Sequence, residues 1–162
     1  MCEYCGCRGV PPIGELMDEH AALMDQAHDV RADLAAGDPS AAMAQLNGLV
    51  GRLDRHVQRE EDGIFRAMRT AGDFLDELDD LEGEHRNFAA AIAALDPESA
   101  DFAAQVTRLF DDLEVHVERE DLGIFPVSVV TLGATGWAIV DQAHTRSPSY
   151  LHDRVDGGSH SS

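Results

Sequence analysis

One segment occurs twice in this chain. Leu53 to Phe65 reads LDRHVQREEDGIF and Leu113 to Phe125 reads LEVHVEREDLGIF, identical at eight of thirteen positions at an offset of 60 residues. Ahead of each copy runs a segment carrying Glu-His, at Glu19-His20 and at Glu84-His85. Such a chain is a paired unit used twice. Whatever the repeated His and Glu do, they do in duplicate.

The residues around these marks set the fold class. Apolar side chains recur every three or four positions, the spacing of one helix face. The first stripe is Ile13, Leu16, Met17, His20, Met24, Ala27 and Leu34. The second is Leu46, Leu49, Val50, Leu53, His56, Val57, Glu60 and Ile64. The third runs Leu75, Leu78, Leu81, His85, Phe88, Ile92 and Leu95, and the fourth Val106, Leu109, Phe110, Leu113, His116, Val117, Glu120 and Ile124. No comparable run alternates with period two, so no sheet is expected. Gly37-Asp38-Pro39, Gly72-Asp73 and Asp96-Pro97 separate the stripes, pairing helix stops with helix starts. Short connections between long helices predict an all-α, up-down-up-down four-helix bundle over residues 13–130. Residues 1–12 form a Cys-containing N-terminal tail. Within 131–162, Thr135 to His144 predicts a short C-terminal helix packing Trp137 and Ile139, followed by a flexible tail ending VDGGSHSS.

Each stripe carries one His in phase with its apolar residues, and His56 and His116 are each followed four residues later by Glu. Positions i and i+4 share a helix face, about 5–6 Å apart at Cβ. A lone core His is usually a packing residue, and a lone His-x-x-x-Glu is usually a solvated hydrogen bond. Four His and two Glu turned into one core are different. Unpaired, each buried charge would cost several kcal/mol, and metal ligation removes that cost. The pattern suits two ions bridged by Glu60 and Glu120, with His20, His56, His85 and His116 as terminal ligands.

The order His20, His56-x-x-x-Glu60, His85, His116-x-x-x-Glu120 resembles the cation-binding pattern of haemerythrin-like domains over about residues 13 to 130. The resemblance implies a non-haem, carboxylate-bridged pair of irons that binds or reacts with a small oxidant: oxygen, peroxide or nitric oxide. It also implies an alternative, an iron or oxygen sensor, or an iron donor for iron–sulfur cluster repair, acting through a partner protein. A third reading is a structural metal bundle holding zinc. Oxygen carriers of the family have a further His four residues after the third-helix ligand, where this chain has Ala89. The missing imidazole leaves a coordination position open, as a reactive metal requires, and argues against simple oxygen carriage. Oxygen carriers also show His-x4-Asp, which Asp121 satisfies, whereas Glu120 satisfies His-x3-Glu. On a regular helix i+4 lies about 40° round from the His and i+5 about 140°. Glu120 is therefore favoured, with Asp121 and, in parallel, Glu61 as alternatives that a π-bulge would turn inward.

Smaller features complete the reading. His28 lies two turns beyond His20, too far for the same ion. Glu19 and Glu84 directly precede a His, point elsewhere, and read as solvated surface acids. Pro126 cannot donate to the Leu122 carbonyl, so the last helix is expected to kink or end there. Gly63 and Gly123 follow each Glu by three residues, and read either as positions that loosen the helices near the site or as ordinary surface glycines. Cys2, Cys5 and Cys7 offer three thiols for a further metal or redox site, zinc or copper(I) being suited to them. With 31 acidic and 12 basic residues the charge is −19, which disfavours nucleic acid and anionic membranes as partners. No apolar run reaches a membrane span, and the N-terminus lacks a secretory layout. A reducing, cytoplasmic setting is expected.

Overall fold

The computed structural model describes residues 7–153. Cys2, Cys5, the side chain of Cys7 and the segment after Asp153 lie outside the described residues. Among the described residues all regular structure is helical. In chain order it comprises α1 (Pro11–Ala35), α2 (Pro39–Glu60), a π turn (Glu61–Phe65), α3 (Arg66–Ala71), α4 (Leu75–Ala93), α5 (Phe102–Arg119), a second π turn (Glu120–Ile124), α6 (Phe125–Thr131) and α7 (Ala134–Arg146). Single 3₁₀ turns stand at Cys7–Gly9 and Tyr150–His152. No helix of the described residues is long and apolar enough to cross a membrane.

Local chemistry explains the boundaries. Asp38 caps α2 by accepting a hydrogen bond from the Ala41 amide at 3.0 Å, with Pro39 in the first turn. Gly37 and Gly72 take the left-handed conformation, φ 77° and 79°, that ends α1 and α3. Two expectations need correction. Of the two outcomes expected at Pro126, a kink or an end, the end does not occur: the chain stays helical through α6 to Thr131. The proline falls in the first turn of α6, directly after a π turn, where a missing N–H is tolerated. Leu75, expected at the head of the third stripe, is exposed, and burial on α4 starts at Leu78.

The core comes in two apolar clusters. One joins Ile13, Leu16 and Met17 of α1 to Ile64, Phe65 and Met68, to Leu78 and Leu81, and to Ile124 and Phe125; Trp137 and Ile139 of α7 pack against it. The other joins Leu23, Ala27 and Val30 to Leu46, Leu49 and Leu53, to Phe88, and to Phe102, Val106, Leu109, Phe110 and Leu113 of α5. Between the clusters lies a belt of buried polar side chains: Glu19, His20, His56, Arg59, Glu60, His85, His116 and Glu120. Each fully buried Leu or Phe contributes about 1.5–3 kcal/mol. Apolar burial on both sides of the belt is what offsets the cost of holding so many polar groups away from water.

Candidate metal centre

The six inner donors come from four helices. His20 lies on α1, His56 and Glu60 at the end of α2, His85 on α4, His116 near the end of α5, and Glu120 at the first residue of the π turn that follows it. All six are at most 7% exposed. His56 Nε2 stands 2.9 Å from Glu60 Oε1, and His116 Nε2 stands 3.0 Å from Glu120 Oε1, each within one helix at i,i+4. The carboxylates also reach across: His20 Nε2 lies 3.2 Å from Glu120 Oε1, and His85 Nε2 lies 3.6 Å from Glu60 Oε1. Two donor sets follow, His20, His56, Glu60 and Glu120, and Glu60, His85, His116 and Glu120; within each set the donor atoms lie within 4.8 Å of one another. The two carboxylates belong to both.

The fit to metal ions rests on unmet bonding. The Nε2 atoms of His20 and His56 and all four carboxylate oxygens of Glu60 and Glu120 are buried, and although they approach neighbouring site atoms closely, none of those contacts has hydrogen-bond geometry. Buried polar atoms are normally paired, and six orphans in one place are a large liability for a folded chain. Their spacing is that of ligands around ions: bonds of about 2.1 Å at right angles separate donors by about 3.0 Å. His and carboxylate donors suit iron, manganese or zinc, so the residues present fit a pair of such ions.

A second layer orients the imidazoles. Each Nδ1 meets a carboxylate: His20 with Asp121 at 2.8 Å, His56 with Glu19 at 3.1 Å, His85 with Glu61 at 2.9 Å and His116 with Glu84 at 3.1 Å. An Nδ1–H donated to a carboxylate leaves Nε2 as the free lone pair, aimed inward, and makes it more basic. Arginine holds two of these carboxylates in turn. Arg59 Nε donates to Glu19 at 3.3 Å, and Arg119 Nη1 donates to Glu84 at 2.6 Å.

The π turns help to build this layer. On a regular helix Phe65 and Phe125, five residues after Glu60 and Glu120, would lie about 140° away from them. The wider i→i+5 bonding brings them back to the site. There Phe65 stacks on His85 at 5.7 Å between ring centroids, and Phe125 on His20 at 5.5 Å. The space left at the centre is about 10 Å³, and its walls other than the six donors are Leu23, Leu53, Val57, Phe88, Leu113 and Val117.

Without metal the centre keeps protons. Burial and the Glu120 charge push Glu60 well above the usual carboxylate range. Burial pushes Glu120 the same way, but His116 and His20 overcome it and hold Glu120 well below that range. Burial and His56 press the pKa of His20 down, yet the Asp121 and Glu120 carboxylates raise it to about 9. These protons must leave when metal arrives, so metal affinity should rise with pH.

The structure thus brings together all six inner residues named from the sequence. Glu61 and Asp121, the alternative carboxylates, stand outside the inner sets, on the Nδ1 atoms of His85 and His20. Ala89 is exposed, and Phe88 is the residue of that turn that faces the site. His28 is exposed. Cys2, Cys5 and the Cys7 side chain lie outside the described residues. Glu19 and Glu84 correct the expectation of solvated acids: Glu19 is 0% exposed, Glu84 is half-buried, and each holds the His of the next helix. They turn away from their own His, and a neighbouring helix occupies the space where water was expected. Sequence reasoning misses Arg59 and Arg119, although the repeat itself carries the signal, His-x-x-Arg-Glu in both copies.

A family model described as the Hemerythrin HHE cation binding domain matches residues 12–128. No curated protein and no solved structure matches the chain.

Proposed function

This chain belongs to the haemerythrin HHE cation-binding domain family, and on that premise we propose that it holds a carboxylate-bridged pair of irons that binds or reacts with a small oxidant: oxygen, peroxide or nitric oxide. His20 and His56 would hold one ion, His85 and His116 the other, and Glu60 and Glu120 both. The observation that carries the reading is the convergence of unpartnered Nε2 and carboxylate atoms on one buried point. Iron bound there supplies one-electron redox chemistry and, with four protein donors per ion, room for an exogenous ligand. The rest is done by the chain itself. Asp121, Glu19, Glu61 and Glu84 fix the imidazole tautomers through Nδ1. Phe65, Phe125 and the aliphatic walls exclude bulk water. The order in which each helix meets the two apolar clusters supports an up-down-up-down course, and it is this course that lets two repeated halves face each other across one centre.

Elemental analysis of protein expressed with both iron and zinc supplied is the test. About two irons per chain, with a visible spectrum that changes on adding nitric oxide or peroxide, would support the proposal. Zinc alone, or an iron pair indifferent to every small oxidant, would refute it.

A further inference from the structure

Away from the metal centre, α7 and the start of α1 flank an open pocket of about 650 Å³, a size in the range of ligand sites. One wall is a single face of α7, where Trp137, Asp141, His144 and Thr145 stand at i, i+4, i+7 and i+8. The other is the first turn of α1, with Pro11, Pro12 and Glu15. Prolines are tolerated there because the first N–H groups of a helix have no partner within it. With Val10 and the Trp137 indole they give the pocket apolar surface, and Glu15 and Asp141 give it negative charge. Glu15 accepts a hydrogen bond from Arg59 and meets His152 Nε2 at 2.9 Å. The Asp141 carboxylate makes no hydrogen bond or ion pair among the described residues. Neither positive candidate nearby offsets these charges for a ligand. Arg59 is 0% exposed behind Glu15, and burial with the Arg59 charge lowers His144 to about 4, which leaves it uncharged at neutral pH.

These groups select a ligand by elimination. An anion would meet two carboxylates and no free cation. A bare metal ion needs convergent donors, and among the described residues the convergent sets lie at the centre already described, not here. A cation with an apolar body satisfies both kinds of surface. Its charge faces the carboxylates, and its carbon chain lies on the prolines and on the indole, whose face attracts cations. We propose that this pocket is a second binding site, for a small organic cation of the primary-amine class, and that its occupancy is felt at the metal centre through Glu15. Glu15 lines the pocket and holds Arg59, Arg59 holds Glu19, and Glu19 holds the Nδ1 of His56. Glu15 also stands five residues before His20, about 7.5 Å along α1. Divalent ions add positive charge to the centre, so a bound amine and bound metal oppose each other, each weakening the other by the same factor. The coupling rests on the reading of the centre as a metal site, and the pocket does not.

Trp137 is the one tryptophan of the chain, so its emission reports on this pocket. The experiment titrates the metal-free full chain with hexylamine, hexanol and hexanoate, which share a carbon chain and differ in the charge of the head group. Hexylamine should shift the emission saturably to shorter wavelength, with a dissociation constant below about 1 mM. Hexanol should bind at least about tenfold more weakly, and hexanoate should not bind. Asp141→Asn should weaken hexylamine by about threefold or more. Asp29→Asn removes an equal charge from the exposed surface of α1 outside the pocket and should leave the affinity unchanged. Zinc loading, checked by elemental analysis, should weaken hexylamine by about threefold. The site is refuted if hexylamine gives no saturable shift by about 10 mM, if hexanol matches it, or if Asp141→Asn behaves like Asp29→Asn. Equal affinities in the metal-free and zinc-loaded chains refute the coupling and leave the site standing. A chain that takes up neither zinc nor iron refutes the reading of the centre, and the metal-free titration still decides the pocket.

Discussion

Glu19 with Arg59 and Glu84 with Arg119 occupy corresponding places in the two repeated halves. Each carboxylate takes the Nδ1 of a site histidine at 3.1 Å, and each is held by the arginine three residues after that histidine. Their surroundings differ. The Glu19 and Arg59 side chains are 0% exposed, whereas those of Glu84 and Arg119 are 28% and 34% exposed. The cause is the segment after α6, which has no counterpart on the other side. Arg59 donates to the Ser147 carbonyl, Tyr150 donates its hydroxyl proton to the Glu19 carbonyl at 2.5 Å, and His144 of α7 lies against Gly63. Arg119 instead reaches Glu77 at 3.0 Å, on a surface open to water. The same motif therefore gives a dry ion pair in one half and a screened one in the other, and the strength of each pair is set by what covers it.

The sharpest way to break this comparison is to truncate both arginines. Arg59→Ala breaks a fully buried ion pair and leaves His56 as the partner of the buried Glu19, a loss of about 3–5 kcal/mol. Arg119→Ala removes a partly exposed pair and should cost about 0–1 kcal/mol. Urea unfolding of the two metal-free variants measures both. Equal losses would mean that the C-terminal segment does not set the difference.

Next in size is a pH effect that separates the metal-free protein from the loaded one. The folded, metal-free chain holds a proton on His20 up to about pH 9, whereas the ordinary value of 6.5 applies once it unfolds. Glu60, raised by burial and by Glu120, acts in the same direction. The folded state thus binds more protons than the unfolded state, so stability falls as pH rises. The His20 contribution is fully present below pH 6.5 and lost once pH passes about 9, a decline on the order of 3 kcal/mol. Bound metal takes the place of those protons, and the loaded protein should show no such decline. Melting temperatures recorded from pH 6.5 to 9 test this, and a metal-free profile that climbs would contradict it. His144 acts on the acid side: burial and the Arg59 charge lower it to about 4, so its contribution is lost as pH falls from 6.5 towards 4.

Tyr150 bears on the cover alone. Tyr150→Phe deletes one buried hydrogen bond to the Glu19 carbonyl and should cost about 1 kcal/mol. Added to Arg119→Ala the losses should sum, and added to Arg59→Ala they should not, because Tyr150 and Arg59 cover the same glutamate.

What can be read from the sequence depends on helical phase. The four His and two Glu are legible because each lies in register with an apolar stripe on its own helix. Glu19 and Glu84 sit one residue out of register, and their partners are on the next helix, so their role emerges only once the packing of α1 on α2 and of α4 on α5 is known. Asp121 and Glu61 would be inner ligands if a π-bulge turned them inward. The π turns do form, yet they turn Phe65 and Phe125 inward while leaving the two carboxylates on the outer edge of His20 and His85. The short helix expected at Thr135 to His144 is present, and its packing of Trp137 and Ile139 is legible from their apolar character. That its continuation buries Arg59 is not, because Ser147 acts through a backbone carbonyl, which no side-chain pattern reveals.

The smallest effect comes from the paired glycines, and it isolates the cover from all the charges. Gly63 and Gly123 occupy corresponding places in the two repeats, each within a π turn, and neither has a positive φ. Replacing a helical glycine with alanine stabilises by about 0.5–1 kcal/mol, because alanine loses less backbone freedom on folding. At Gly123 a Cβ meets nothing within 4 Å, so Gly123→Ala should deliver that gain in full. At Gly63 the Cβ would stand 3.3 Å from His144 Nε2 and 3.6 Å from the Ala143 Cβ. To make room, α7 must shift by a few tenths of an ångström, and the gain should shrink or reverse. Denaturant midpoints of the two variants decide it. A Gly63→Ala gain as large as that of Gly123→Ala would show that α7 yields freely, and a cover that yields freely cannot keep the Glu19–Arg59 pair dry.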